Sequence, residues 1–236
     1  YYLQQQKVTH YPIHIKLDTG MHRLGFLLPD IDPLCQILTG SEQLQVKSVF
    51  SHLVGSENPV HDTFTKQQAA LFIQMTTQLE KAIGYRFLKH IANTSAIHRH
   101  PDLQFDMVRL GIGLYGVDEK QSLQNVTTLR TTISQIKQIQ PGESVGYNRR
   151  AVVNKPSTIA TVRIGYADGY PRLLGNGKGK MLVNGKLAPV IGNVCMDMTM
   201  LDITGIPAGE GDDVIVFGET LPVSDVAAWA STIAYE

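Results

Sequence analysis

Within the nine residues Ile164-Gly165-Tyr166-Ala167-Asp168-Gly169-Tyr170-Pro171-Arg172 stand a tyrosine, a carboxylate, an arginine and two glycines, more polar chemistry and backbone freedom than a strand end needs for structure alone. Four further positions carry suggestive side chains where predicted strands end. Lys16 closes a strand pattern apolar on both faces, so its ammonium needs solvent, a partner or a modification rather than plain burial. His52 follows the apolar run into Phe50-Ser51-His52-Leu53 and serves either as a hydrogen-bonded rim residue or as a catalyst. Asn93-Thr94-Ser95 precedes a helix starting near Ala96 and can simply cap it. A helix N-terminus with a hydroxyl from Thr94 or Ser95 is also a ready phosphate site, because free amides and the dipole both favour an anion. Arg109, with Gly111 two residues on, reads either as a salt-bridged strand residue or as a ligand beside a backbone that can approach closely.

The elements that position these residues follow from periodicity. Ile13, Ile15 and Leu17 repeat at period two, as do Leu44, Val46, Ser48 and Phe50. Between them Ile31, Leu34, Cys35 and Leu38 take helical spacing, with Gly40 as the C-cap candidate. A second helix is expected from an N-cap at Asp62 through Phe64, Gln68, Phe72, Met75 and Leu79 to Gly84, then a short strand near 87–92 and a fourth over Asp106 to Arg109. Such strand, helix, strand units imply parallel strands with right-handed crossovers. Functional residues gathered at strand ends favour a (β/α) barrel, of which about four strands, half of the eight required, are present. After a polar linker, Asp118-Glu119-Lys120-Gln121-Ser122, short β-branched runs alternate with Pro141-Gly142, Asn184-Gly185, Pro207-Ala208-Gly209 and Gly211-Asp212-Asp213. These predict a mostly antiparallel β domain, with Asn184-Gly185 the best hairpin turn and a closing helix from about Ser224. The expected division is residues 1–122, the C-terminal half of a barrel, and residues 123–236, the β domain.

Lys plus Arg and Asp plus Glu each number 21, and the zero formal charge argues against nucleic acid or anionic membrane as partner. Cys35 and Cys195 lie outside any metal or disulfide spacing, which fits a reducing cytoplasm. No apolar run of about 18 residues suggests a membrane span.

Taken in order, Lys16-Leu17-Asp18-Thr19-Gly20-Met21-His22-Arg23-Leu24-Gly25, Arg109-Leu110-Gly111-Ile112, the Gly165 to Arg172 segment and Cys195-Met196-Asp197 resemble the alanine racemases, pyridoxal-phosphate enzymes of fold type III. The resemblance implies a carbamylated Lys16 whose new carboxylate fixes Arg23, and an Arg23 that orients the substrate carboxylate. It implies that Thr94, or Ser95, and the amides of Gly111 and Ile112 hold the cofactor phosphate. Arg109 would hydrogen-bond the pyridine nitrogen, and because arginine keeps its proton, the ring would be a weaker electron sink suited to reprotonation. Tyr166 would be one of two opposed acid-base groups. A phenol normally titrates near 10, and His52 and Arg109 would provide the cationic chain that stabilises its phenolate. Met196 would offer an amide to the substrate carboxylate, with Cys195 and Asp197 supporting the wall. Tyr166 and that wall would enter from the other subunit of a head-to-tail homodimer.

Phe50 stands where racemases often carry tyrosine, and Leu110 where they usually have proline. The family's opening Lys-Ala-Asn-Ala-Tyr-Gly-His-type segment, with its Schiff-base lysine, has no counterpart in residues 1–236. The chain therefore reads as an excised piece expected not to racemise alanine unaided, its parent supplying D-alanine for peptidoglycan with or without a fused ligase domain. Alternatives are a fold type III decarboxylase, which would favour a carboxylate where Arg109 stands, a racemase of serine or another small amino acid, and a non-catalytic binding module.

Overall fold

The computed structural model describes residues 2–118 and 123–236. The chain forms two compact units, Tyr1–Gly113 and Leu114–Glu236.

The first unit runs α1 (Tyr2–Gln5), β1 (Tyr11–Lys16), α2 (Ile31–Thr39), β2 (Leu44–Phe50), α3 (Asp62–Ile83), β3 (Leu88–His90) and α4 (Thr94–Arg99). The three strands pair in parallel in the order β1-β2-β3, the arrangement that crossover helices permit. Registration aligns Lys16 with Phe50 and Phe50 with His90, and pairs His14 with Ser48. Side chains alternate along a strand, so His14, Lys16, Ser48, Phe50 and His90 share one face. Ile15, Val49 and Lys89 take the other, where Lys89 Nζ lies 2.8 Å from Glu80 of α3. The core beneath α2 and α3 includes Ile31, Leu34, Phe72, Met75 and Leu79 with Ile15 and Val49. α3 stops at Gly84, whose φ of 78° is the left-handed cap that glycine adopts without strain.

Three expectations fail here. Residues Asp106 to Arg109 form no strand. Asp106 N–H donates to Lys89 O at 3.1 Å, but the Lys89 amide goes to Asp106 Oδ2 at 2.8 Å, so a side chain replaces one of the two ladder bonds, and beyond it the main chain is held by Arg109 N–H to Ala92 O at 3.0 Å. Asp62 is the first residue of α3 rather than its N-cap. Its carboxylate is bound by Arg99 Nη2 at 2.8 and 3.0 Å, while Asn58 caps the preceding turn by accepting the Val60 amide. α4 begins at Thr94, two residues before the expected start, because Asn93 Oδ1 takes the Ala96 amide. Of the expected linker, residues 119–122 lie outside the described residues.

The second unit holds β4 (Leu129–Ile139), β5 (Ser144–Val145), β6 (Ala151–Val152), β7 (Ser157–Val162), β8 (Lys180–Val183), β9 (Lys186–Pro189), β10 (Thr199–Asp202), β11 (Asp213–Phe217) and α5 (Val223–Trp229). All its paired strands are antiparallel, as the turn signals predict. Six form one sheet in the order β10-β7-β4-β11-β8-β9, and β5 pairs with β6. A bridge between Val190 and Leu201 joins the two ends of the large sheet. Asn184 and Gly185, with φ of 46° and 76°, make the β8–β9 turn in the doubly left-handed conformation that Asn-Gly favours. Among the described residues, no helix is long and apolar enough to cross a membrane.

Candidate active site

In the first unit the polar face of the parallel sheet converges on Arg109. Its Nη1 donates to His90 Nδ1 at 2.7 Å and His90 O at 3.2 Å, and its Nη2 donates to Ser51 O at 2.6 Å. The guanidinium lies 5.3 Å from the centroid of the Phe50 ring, which in turn stacks on His90 at 5.1 Å and 3°. Arg109 is therefore pinned through both terminal nitrogens. Among the described residues, no protein acceptor engages its Nε–H.

His52 lies beside this clamp, its Nδ1 3.3 Å from Arg109 Nη2. Arginine offers only donors, so Nδ1 must accept and the neutral ring carries its proton on Nε2. Burial lowers the His52 pKa, and the charges of Arg109, Arg23 and Lys16 push it the same way. The strands and loops thus bring Lys16, Arg23, His52 and Arg109 into one electrostatic neighbourhood. Gln68, almost wholly buried on α3, fixes the His52 loop by donating to His52 O at 3.2 Å and accepting from the Val54 amide at 3.1 Å.

Arg23 is exposed on a loop built by Asp18. Oδ1 of Asp18 accepts the amides of Gly20, Met21 and His22, each at 3.0 Å. Burial alone would raise this carboxyl, but the three amides and the His22 imidazole outweigh it and hold the pKa below its ordinary value. The loop closes where Gly25, at φ 125°, passes so near Asp18 that a Cβ would lie 2.7 Å from the Asp18 nitrogen.

Thr94, buried at the start of α4, accepts the amides of Gly111 at 2.9 Å and Gly113 at 3.3 Å on its hydroxyl oxygen. Two backbone donors converging on one oxygen form a small cradle. Ser95 neighbours it and is half-buried, and Ile112 lies between the two glycines.

In the second unit Tyr166 opens a short 3-10 turn, Tyr166–Asp168, and is 42% exposed. The turn is fastened to the Cys195 segment: Tyr166 N–H donates to Cys195 O at 3.0 Å and Ala167 N–H to Met196 O at 2.8 Å. Arg172 stands 5.7 Å from the Tyr166 ring centroid. Met196 and Asp197 are exposed. Cys195 is half-buried, and burial followed by the Asp197 charge raises its thiol pKa, the opposite of what a nucleophile needs.

Sequence reasoning missed Asp18, Gln68, Ser48 and His90 as parts of the site. Asp-Thr-Gly is a turn signature that could have singled out Asp18, and a glutamine on the buried stripe of α3 could have marked Gln68. His90 and Ser48 become visible only through strand register. Among the described residues, no group of three or more His, Cys, Asp or Glu could hold a metal ion.

Both units of the chain are similar to known proteins. The profile described as "Alanine racemase, N-terminal domain" matches residues 2–119, and "Alanine racemase, C-terminal domain" matches residues 126–236. Alanine racemase 1 of Clostridium acetobutylicum is 39% identical over 238 residues, covering 95% of this chain and 61% of the relative. The alanine racemase of Desulfovibrio desulfuricans is 36% identical over 233 residues, 95% of this chain and 62% of the relative. Among solved structures, alanine racemase from D-cycloserine producing Streptomyces lavendulae superposes with a TM-score of 0.91 at 30% identity, covering 99% of this chain and 64% of that one. The Bartonella henselae alanine racemase with covalently bound pyridoxal phosphate gives 0.85 at 33%, covering 99% and 65%. The chain spans about three fifths of the length of the curated relatives it matches. With matching profiles over both units, the chain belongs to the alanine racemase family.

Proposed function

We propose that this chain is the larger part of a pyridoxal-phosphate-dependent racemase that interconverts L- and D-alanine, supplying D-alanine for peptidoglycan in the cytoplasm, and that its first unit is part of a (β/α) barrel. The observation that carries this reading is Arg109. Five hydrogen bonds and the Phe50 ring orient it, and Nε–H is the donor left for a ligand. Such a group suits a pyridine nitrogen and cannot pass it a proton.

The residues present fit the cofactor. The Gly111 and Gly113 amides converge on the Thr94 hydroxyl oxygen, so an anionic oxygen that takes over these bonds would meet aligned donors beside that hydroxyl, and Ser95 and Ile112 would extend the cradle. When bound, the cofactor delocalises the electrons left on the substrate carbon as its proton departs. The chain's own residues bind and orient. Arg23 receives the substrate carboxylate on a planar fork of donors, and Lys16 is the candidate for carbamylation that would steady it. His52, kept neutral and so not the cation that the resemblance leads one to expect, offers Nε2–H to a neighbouring oxygen. Tyr166 is the proton acceptor on one face, and Met196, flanked by Cys195 and Asp197, lines the substrate side. On the family resemblance we assign these four residues to the partner protomer's face of the pocket in a head-to-tail homodimer.

The test replaces Arg109 by glutamate in a racemase-active protein containing these residues. Racemisation should fall, and with a carboxylate at the ring nitrogen half-transamination should appear, read as pyruvate released from alanine. Unchanged racemisation without pyruvate would remove Arg109 from the cofactor and with it the preference for racemase over decarboxylase.

A further inference from the structure

We propose that Ser48 and His14 are positioning residues for Arg109, acting through His90 along a hydrogen-bond chain with one direction. The inference deepens the racemase reading and rests on it for its catalytic meaning, though the chain itself is a property of the first unit.

The geometry is continuous. Arg109 Nη1 is 2.7 Å from His90 Nδ1, His90 Nε2 is 3.2 Å from Ser48 Oγ, and Ser48 Oγ is 2.6 Å from His14 Nδ1. Register explains the proximity, since His14 pairs with Ser48 across β1 and β2 and His90 follows on β3 on the same face. Direction follows from the chemistry of the ends. Arginine donates only, so His90 Nδ1 accepts and, in a neutral ring, Nε2 bears the proton. That proton points to Ser48 Oγ. Ser48 is 1% exposed, and a buried hydroxyl proton left without an acceptor is costly. Among the described side chains the acceptor in reach is His14 Nδ1. The order is thus Arg109 to His90 to Ser48 to His14.

His90 is held in the neutral form this order requires: burial first, then the charge of Arg109, bring its pKa down to about 4. It is 5% exposed and stacked flat on Phe50, so the ring plane is set by packing and the tautomer by Arg109 and Ser48 together. Without Ser48, Nε2–H loses its buried acceptor and Arg109 alone still opposes the Nδ1–H tautomer. That tautomer turns N–H against N–H at Arg109, and the clamp that aims the guanidinium loosens.

The test begins with the 236-residue chain labelled with 15N at histidine and arginine, without cofactor. We expect His90 as the Nε2–H tautomer and a hindered, slowly exchanging Arg109 guanidinium. Ser48→Ala should mix the His90 tautomers and sharpen or lose the Arg109 signals, Ser48→Thr should restore both, and exposed His14→Ala should shift both in the direction of Ser48→Ala. In a racemase-active protein containing these residues, Ser48→Ala should lower kcat about tenfold with little change in KM, the scale of one misdirected hydrogen bond, and Ser48→Thr should recover it. An Nδ1–H or cationic His90, or Arg109 signals indifferent to Ser48→Ala in a chain that keeps its near-ultraviolet spectrum, would overturn the proposal. If the nuclear signals behave as expected while no containing protein racemises alanine, the racemase reading fails and the hydrogen-bond chain stands.

Discussion

The amide of Tyr166 donates to the carbonyl of Cys195 at 3.0 Å, so the two chain segments that resemblance assigns to one wall of the pocket form a single backbone-locked piece within the second unit. Gly165 makes the approach possible. A Cβ at that position would lie 2.4 Å from the carbonyl oxygens of both Cys195 and Met196, closer than any side chain tolerates.

Gly165→Ala should therefore separate the Tyr166 turn from the Cys195 segment and destabilise the second unit by about 1–3 kcal/mol, the usual range for overpacking. Gly209→Ala is the control, because its Cβ would meet nothing nearer than 3.9 Å. Thermal melts of the two variants should differ by several degrees. Equal melting temperatures would mean that the contact relaxes at no cost.

His90 makes stability depend on pH in a defined window. Its pKa is about 4 in the folded chain against an ordinary 6.5, so the unfolded chain takes up the proton first on acidification. The contribution of neutral His90 is fully present above pH 6.5 and is lost as pH falls toward 4, on the order of 2 kcal/mol allowing for partial solvent screening. Denaturant titrations across that range should give a slope that is clearly reduced in His90→Asn, whose amide oxygen can still accept from Arg109, with the depressed His52 leaving a remainder. An undiminished slope in the variant would place the titration elsewhere.

Asp18→Ala should leave three loop amides without their acceptor. Hydrogen exchange at Gly20, Met21 and His22 should accelerate, with stability reduced by about 1 kcal/mol, the low end of the cost of unsatisfied donors because these amides are only partly buried. Asp18→Asn retains one acceptor oxygen and should lose less. If exchange at these three amides is unaltered in Asp18→Ala, the loop is held by its ends at Leu17 and Phe26 and not by the carboxylate.

What the sequence made legible and what it hid follow one physical division. β2 and its boundaries, the α3 stripe ending at Gly84 and the Asn184-Gly185 hairpin are local consequences of periodicity and of residues tolerant of positive φ. The second unit's antiparallel character followed from its turn pairs. The Asp106 to Arg109 segment reads as a strand locally, but Asp106 captures the Lys89 amide, an event set by tertiary structure. Asp62 looks like a cap and is claimed by Arg99, 37 residues away. Among the candidate site residues, Lys16, His52, Thr94, Arg109 and Tyr166 stand out in the sequence by chemical type at the ends of expected strands or helices. Ser48 and His90 look like ordinary strand residues until register places them beside His14 and Arg109.

Tyr166 gives the most direct test of the proposed chemistry. Its turn is held by backbone hydrogen bonds to Cys195 and Met196, none of which needs the phenol oxygen, so Tyr166→Phe should melt as the parent does and retain its cofactor affinity. If the hydroxyl removes the α proton on one face of the substrate while the family's lysine serves the other, the loss must be one-sided. In a racemase-active protein containing these residues, α-hydrogen exchange into heavy water should be measured separately from L- and from D-alanine. One enantiomer should lose roughly 10²- to 10⁴-fold, the span typical of removing a general acid-base group, and the other far less. Small and equal losses would mean that Tyr166 shapes the pocket without moving a proton, and the two-base assignment would have to be withdrawn.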